Sequence, residues 1–507
     1  MNPYLAALIY ACGIAGLFYL DRDRKSVTSR ALWLPIIYFW IIGSRSISQW
    51  FGISGSSENV QIEGSPLDAA VFGILLVGAI AVLIRRKRRV ATLLTANWPI
   101  LLYFLYCLIS VCWSFHPDVS LKRWIKATGD LALPLVVVTD PHPVEALKRL
   151  FSRTGFLMLP TSLLFIKYFP QMGRGFSPAG EPMNLGITTN KNTLGVVLLV
   201  IALGTLWNTI TLLRDKKRPD RRRHLIAQGV LLLFGVSLLG IAHSATSASC
   251  FVLGAGLSIA TNLRAVRSRP NRIQVICLLL AVAGLGTFLF SGSANVAGAL
   301  GRSSTLSGRT EIWAALIPTV PNSLVGAGYE GYWISPAPEQ LWEQLAHSGW
   351  WHPEVLVTEA HNGYIEVFLN LGWLGVGLIA LILITGYRRA IAAVRVNPPI
   401  GGLMLGYVMA SAVYSITEAG FRSLDPIWMF LLLAITCSTA ITAGYFGERV
   451  KLGGVNPLQP QGGSLEAPRG GVKSGSRQTW EPPEVPVRKV RKWADRTSSA
   501  TRTDTSY

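Results

Sequence analysis

The sequence predicts an all-α polytopic membrane protein with about 12–13 transmembrane helices. Half of its 507 residues are hydrophobic and 15% are charged, whereas an ordinary soluble domain carries about 25% charged residues. Apolar runs of roughly 17 to 22 residues recur along the chain, and a helix of that length spans a bilayer. Short basic clusters separate these runs, as expected for cytoplasmic connections between helices.

The apolar runs define the predicted spans. In chain order the spans are 3–20, 31–44, 67–84, 95–113, 127–139, 153–169, 192–213, 225–242, 248–263, 273–291, 363–386, 399–417 and 426–446.

The basic clusters give the predicted orientation. When the spans are threaded in order, all clusters fall on one side of the membrane, and the positive-inside rule makes that side cytoplasmic. The N-terminus is then outside and the C-terminus inside. The net charge of +20 therefore reflects membrane topology, and no nucleic-acid partner is predicted. The clusters include RRKRR (85–89), RDKKRPDRRRH (214–224), RAVRSRPNR (264–272) and YRRAIAAVR (387–395).

Composition divides the chain into five predicted parts. The last of them is rich in Gly, Pro, Ser and Thr and contains VRKVRKW (487–493), which is typical of a disordered basic tail. The parts are N-terminal transmembrane helices (1–94), a transmembrane core (95–291), a long loop on the outer side containing short helices (292–362), C-terminal transmembrane helices (363–446) and a cytoplasmic tail (447–507).

Basic residues on the predicted outer face need an explanation, because positive charge is disfavoured there. One explanation is that they snorkel to lipid phosphates. The other is that they line a cavity that binds a polyanion such as a pyrophosphate through forked arginine contacts. These residues are Arg45, Lys122, Arg123, Lys126, Lys167, Arg174, Lys191, Arg302, Arg309 and Arg422.

The long outer loop contains a predicted helix in LSGRTEIWAALI (306–317). Ser307 can cap it, and Ile312, Leu316 and Ile317 would share its apolar face. Arg309 lies in the first turn, where the helix dipole favours anions. Arg309 and the free amides of that turn would together suit a phosphate.

His361 lies at the polar start of the apolar segment TEAHNGYIEVFLNLGWLG (358–375). It could be a structural hydrogen-bonding group or a catalytic residue. A metal site is a further alternative, since four more candidate ligands precede it, but their spacing matches no ligand motif. These are His347, His352, Glu354 and Glu359. The six cysteines also lack metal-site or disulfide spacing, so no metal or other cofactor is predicted.

Six stretches, taken in order, resemble the O-antigen ligase and polysaccharide polymerase superfamily of multispanning glycosyltransferases. The resemblance covers about residues 95 to 440, and the ordered set is far more specific than any single stretch. The stretches are WSFHPDVSLKRWIKA (113–127), FPQMGRGFSP (169–178), TTNKNTLGVVLL (188–199), SGRTEIW (307–313), VGAGYEGYW (325–333) and AHNGYIEVFLNLGWLGVGLI (360–379).

The resemblance implies an inverting, metal-independent enzyme that transfers a glycan from a polyprenyl pyrophosphate to an acceptor hydroxyl. It places that enzyme in the bacterial inner membrane, with its active site facing the periplasm. The implied essential residues are Arg174, Arg309 and His361. The implied partners are the lipid-linked donor, a lipid A core or growing glycan acceptor, and membrane lipids. The threading has one span more than is usual in the superfamily.

The residue types fit this chemistry. Arg174 and Arg309 would stabilise the charge that builds up on the departing pyrophosphate. A neutral His361 would accept the acceptor's proton, provided that nearby arginines lower its pKa. Lys122, Arg123, Lys191, Arg302 and Arg422 are further predicted substrate-binding residues, and Glu418 is a predicted partner of Arg422.

Two other classes of protein remain open at this level. A transporter or flippase should show mid-span charges or an inverted repeat, and only Asp130 is of that kind. A membrane scaffold would leave the outer arginines unexplained. Within the enzyme class, ligase and polymerase use the same donor and the same attack, while the modest outer loop disfavours a protein acceptor.

Overall fold

The structure is a computed structural model that describes residues 2–23, 28–53, 64–176, 180, 182–269, 271–277, 309–339, 341 and 358–446. These residues belong to one compact unit and are mainly helical. Arg302, most of the predicted span 273–291 and the predicted tail 447–507 lie outside the described residues.

The described elements follow the apolar runs of the sequence closely. The helices are α1 (Pro3–Leu20), α2 (Trp33–Ile42), α3 (Ile47–Trp50), α4 (Pro66–Arg85), α5 (Lys87–Ala96), α6 (Trp98–Ser110), α7 (Pro117–Ala127), α8 (Gly129–Val138), α9 (Pro143–Tyr168), α10 (Pro170–Gly173), α11 (Lys191–Arg214), α12 (Arg221–Ala242), α13 (Ala245–Ala260), α14 (Arg264–Arg267), α15 (Arg309–Leu316), α16 (Gly363–Val396), α17 (Pro398–Thr417) and α18 (Pro426–Thr442). The strands β1 (Arg174–Phe176) and β2 (Pro182–Asn184) form an antiparallel hairpin.

The protein is an all-α, multi-pass membrane protein, as the sequence predicts. Within the described residues, six helices are long and apolar enough to cross a bilayer, namely α1, α4, α11, α12, α16 and α17. Helices α5 and α6, bent by 85° relative to each other, can be counted as a seventh span. The remaining predicted spans within the described residues coincide with helices that are shorter or carry more charge.

Several segments predicted as connections are helical, among them two of the basic clusters. YRRAIAAVR continues α16 as far as Val396, and RRKRR covers the end of α4 and the start of α5. The basic side chains find partners at neighbouring helix ends: Arg389 donates to Thr439 near the end of α18, and Arg86 pairs with Asp140 beyond the end of α8. These contacts allow a helix to extend past the apolar run that identifies it.

The centre of the bundle is α18. Every residue from Pro426 to Ile441 is buried, and α18 packs against α8, α16 and α17. A helix that is apolar on all sides can be a lipid-facing span or a buried core helix, and sequence alone does not separate the two. Here the whole circumference of α18 is covered by protein.

Helix α16 is broken at Gly372, whose φ of 62° and ψ of −164° are not helical. The segment 322–328 docks at the break. There Trp373 N–H donates to Ser323 O (2.9 Å) and Leu374 N–H donates to Leu324 O (3.1 Å). In the opposite direction, Ala327 N–H donates to Leu369 O (3.0 Å). The first half of α16, which begins just after the His361–Asn362 pair, is thereby fixed to the outer loop.

The described part of the outer loop contains the helix predicted from LSGRTEIWAALI, which begins at Arg309. Ile312 and Leu316 are buried as predicted, but Ile317 is 47% exposed. The chain enters a 3-10 turn at Ile317–Thr319, so Ile317 leaves the apolar face. The predicted cap, Ser307, lies outside the described residues.

Candidate active site

The His-Asn-Gly segment is positioned by the start of α16. His361 has a positive φ of 47°. Asn362 caps the helix by accepting hydrogen bonds from the Tyr364 and Ile365 amides, and its amide group donates to Ile416 O. A side chain at Gly363 would approach the Ser415 Cβ to 2.9 Å. The three residues together hold the imidazole at the mouth of the bundle.

Glu418, at the end of α17, is the centre of the site. It is 5% exposed. Its Oε1 accepts from Arg309 Nη2 at 2.9 Å, and its Oε2 accepts from Asn192 Nδ2 at 2.9 Å. His361 Nδ1 lies 3.7 Å from the same Oε2. One carboxylate therefore joins the outer-loop helix α15, the start of α11 and the segment that precedes α16.

Arg422 makes a second set of ion pairs. Its Nη1 lies 3.5 Å from Glu359 Oε2, and its Nε lies 4.0 Å from Glu366 Oε1. Glu366 is held in turn by Trp333 Nε1 at 2.6 Å and by the amide of residue 360 at 3.0 Å. The predicted pairing of Arg422 with Glu418 is wrong, because Glu418 is occupied by Arg309.

The protonation of His361 also differs from the sequence expectation. Burial alone would lower the pKa of His361, but interactions with Glu359 and Glu418 outweigh it and raise the pKa to about 9. The nearest group is a carboxylate, with Glu359 Oε1 3.0 Å from Nδ1. The arginines that were expected to keep the imidazole neutral face these carboxylates, so the histidine carries its proton at neutral pH.

A polar cavity of about 190 Å³ opens beside these groups. Its lining includes Asp425, where burial raises the pKa of the carboxyl to about 7. Asp425 also caps α18 by accepting from the Ile427 amide at 2.8 Å. The cavity is lined by Asn190, Asn192, Thr193, Glu359, Tyr414, Glu418, Ala419, Arg422, Ser423, Leu424 and Asp425.

The structure brings some predicted residues to the site and leaves others apart. Arg309, His361 and Arg422 share the carboxylate cluster. Arg123 reaches its edge, since its Nη1 donates to Glu330 O at 2.7 Å and the Glu330 carboxylate accepts from Ser423 Oγ at 3.1 Å. Lys191 lies between two cavity-lining asparagines at the start of α11.

Arg174 and Lys122 have other described contacts. Arg174 Nε donates to Ile166 O at 2.8 Å, in the hairpin that follows α10. Lys122 pairs with Asp118 one turn earlier on α7 at 3.7 Å and is 53% exposed. None of these contacts reaches His361 or Arg309, so a direct role for either residue remains a prediction.

A metal ion could use three ligands here, because atoms of Glu359, His361 and Glu418 lie within 4.8 Å of one another. Both carboxylates, however, already face guanidinium groups, Glu418 from Arg309 and Glu359 from Arg422. Their negative charge is thus largely balanced. These two candidate ligands are therefore already engaged in ion pairs in the structure.

These features define a class: a multi-pass helical membrane protein with an arginine, histidine and carboxylate cluster at one end of its bundle. No protein-family model matches the chain. The chain is similar to the exopolysaccharide production protein ExoQ of Rhizobium meliloti, with 28% identity over 172 residues. The match covers 32% of this chain and 37% of that relative. It supports the resemblance to the O-antigen ligase and polymerase superfamily that the motifs indicate.

Proposed function

We propose that the protein is a membrane glycosyltransferase that moves a glycan from a polyprenyl pyrophosphate to an acceptor sugar hydroxyl. The observation that carries the proposal is the meeting of Arg309, His361 and Arg422 beside a polar cavity at one end of the bundle. The ordered motifs and the similarity to an exopolysaccharide production protein support it.

The cationic groups act on the leaving group. As the anomeric C–O bond breaks, its electron pair departs with the pyrophosphate, and groups already aimed at this charge lower the barrier. Arg309 and Arg422 provide forked donors. His361 adds a third positive charge, because its pKa of about 9 keeps the ring protonated. With Nδ1 buried against the carboxylates, Nε2 is the nitrogen left for the substrate.

The attacking hydroxyl needs a proton acceptor, and a protonated histidine cannot be that acceptor. Asp425 is suited to this role because it lines the cavity and its pKa is about 7, close to the working pH. The acceptor oxygen forms its bond to the anomeric carbon as its proton passes to Asp425. A single displacement of this kind inverts the anomeric configuration.

The site faces the periplasm of a bacterial inner membrane in this proposal. Helices α8, α16 and α18 each begin near the site and have basic partners near their other ends, including Arg86 and Arg389. The positive-inside rule assigns those basic ends to the cytoplasm. A lipid-linked donor would then lie in the outer leaflet with its sugar above the membrane.

A gel of the products made by the purified protein tests whether a glycan is transferred and which acceptor receives it. The protein is given a polyprenyl-pyrophosphate glycan with and without a lipid A core. The relative's role in exopolysaccharide production favours a growing glycan as acceptor, so we expect a ladder without added acceptor. A single shifted lipid A band that needs acceptor would instead mean a ligase. Absence of product under both conditions would contradict transferase activity.

A further inference from the structure

Asp130 is a buried carboxylate that the proposed chemistry does not use. It is the second residue of α8 and is 0% exposed. One of its oxygens accepts from the Tyr38 hydroxyl at 2.7 Å, and the other accepts from the Leu424 amide at 2.9 Å. A carboxylate inside a helical bundle is stable only when its oxygens are satisfied, and here each has a donor.

The amide that Asp130 holds belongs to a strained residue. Leu424 has a φ of 61°, in the left-handed region that leucine rarely adopts. Such a conformation persists only when surrounding contacts enforce it. The hydrogen bond from Leu424 to Asp130 is one of these contacts, and that of Ser423 with Glu330 is another.

The strained residue lies in the loop that connects α17 and α18, residues 418–425, which carries most of the site. Glu418 binds Arg309, Arg422 faces Glu359, and Asp425 lines the cavity. Leu424 is adjacent to Asp425 and two positions after Arg422. A change in the backbone conformation of Leu424 therefore moves both of these side chains. The conformation of this loop therefore decides where the reacting groups stand.

The start of α8 is shaped for this contact. A Cβ on Gly129 would lie 3.0 Å from the Tyr38 hydroxyl oxygen, so glycine leaves room for Tyr38 beside Asp130. Tyr38 itself is 1% exposed. The two donors to the Asp130 carboxylate come from different segments: the Tyr38 hydroxyl from α2 and the Leu424 amide from the 418–425 loop.

We propose that Asp130 is a positioning residue, which holds the 418–425 loop in its active conformation by accepting the Leu424 amide. The proposal rests on the proposed transferase function of the loop. Asp130 touches no substrate in it and acts only through Leu424.

Substitutions at both ends of this hydrogen bond test the proposal. Asp130→Ala should lower kcat roughly 10- to 100-fold with little change in KM, because misplaced groups slow the chemical step. Asp130→Asn should keep about a third or more of kcat, since its amide oxygen can accept from Leu424 while its NH2 donates to the Tyr38 hydroxyl. Leu424→Gly, which tolerates a positive φ, should partly restore kcat in Asp130→Ala.

Asp140 provides a matched control. It is a second buried aspartate, lies just beyond the other end of α8, and also accepts hydrogen bonds from backbone amides. Asp140→Ala should gain nothing from Leu424→Gly. The proposal is overturned if Asp130→Asn is as impaired as Asp130→Ala, or if Leu424→Gly rescues neither or both aspartate variants. Should Asp130→Ala not fold, Asp130→Asn is compared with wild type: a kcat of about a third or more supports the proposal, and a loss of roughly 10-fold or more overturns it.

Thermal unfolding of the single and double variants gives a readout that needs no catalysis. Coupling between Asp130→Ala and Leu424→Gly in the melting temperature supports the hydrogen bond's role, and strict additivity contradicts it. This measurement separates failure of the positioning role from failure of the transferase function, which is judged by wild-type product alone.

Discussion

At the scale of single residues, the neighbours of His361 decide its chemistry. The sequence identifies His361 and Arg309 through motifs, and the structure places them at one carboxylate. The sequence could not identify Glu418 as that carboxylate, because the partners of Glu418, Asn192 and Arg309, are 226 and 109 positions away from it. The predicted neutral imidazole is wrong because Glu359, two residues earlier, and Glu418, from the end of α17, raise the pKa of His361, while the expected arginines face these carboxylates.

The two titrating groups predict a bell-shaped pH profile. Transfer should rise as Asp425 loses its proton near pH 7 and fall as His361 loses its own near pH 9. The measurement is kcat/KM between about pH 6 and about pH 10. Activity that keeps rising through pH 9 would show that the neutral imidazole is the base.

Asp425→Asn tests the rising part of that pH profile, which is assigned to Asp425. Asparagine still caps α18, so the fold should be retained, while loss of the proton acceptor should lower kcat roughly 100-fold or more. Asp68→Asn serves as a control. Asp68 lies in the first turn of α4 and accepts a hydrogen bond from the Ser48 amide, and it does not line the polar cavity. An unchanged rate for Asp425→Asn would remove Asp425 from the mechanism.

At the scale of elements, apolar runs predicted the positions of helices well, and interruptions poorly. The break at Gly372 was not predicted, because glycine is common within membrane helices and the segment that pairs with the break lies more than 40 residues earlier. The extension of α16 to Val396 was missed because its charged turn has partners on other helices. Both features depend on tertiary contacts.

The break makes Gly372 and Gly377, on the same helix, a matched pair. A Cβ at residue 372 would lie 2.3 Å from the Leu324 backbone, whereas one at residue 377 meets nothing within 4 Å. Gly372→Ala should therefore lower the melting temperature and the transfer rate, since the 322–328 segment must move. Gly377→Ala should be neutral or stabilising by about 1 kcal/mol. Equal behaviour of the two variants in thermal unfolding would contradict a structural role for the break.

At the scale of the whole molecule, the basic clusters and the site occupy opposite ends of shared helices. Helix α11 begins beside Glu418 at Asn192 and ends at Arg214, which contacts Asn262. The positive-inside pattern predicted this polarity from sequence, since it depends only on charge between apolar runs. The number of spans was harder to predict, because α8 and α18 are apolar but short.

Labelling with a membrane-impermeant maleimide tests the orientation. After Cys12 and Cys112, the exposed native cysteines among the described residues, are changed to Ser, Lys122→Cys should react in spheroplasts. Lys217→Cys should react only after the membrane is opened. Both chosen lysines are exposed. The reverse pattern would place the site in the cytoplasm.

The most direct test of the central claim compares two arginines that each pair with a buried carboxylate. Arg309 pairs with Glu418 at the site, and Arg86 pairs with Asp140 beyond the far end of α8. In purified protein supplied with a polyprenyl-pyrophosphate glycan, Arg309→Ala should lower kcat roughly 100-fold or more, while Arg86→Ala should transfer near the wild-type rate. Undiminished transfer by folded Arg309→Ala would contradict a pyrophosphate-stabilising site at Glu418.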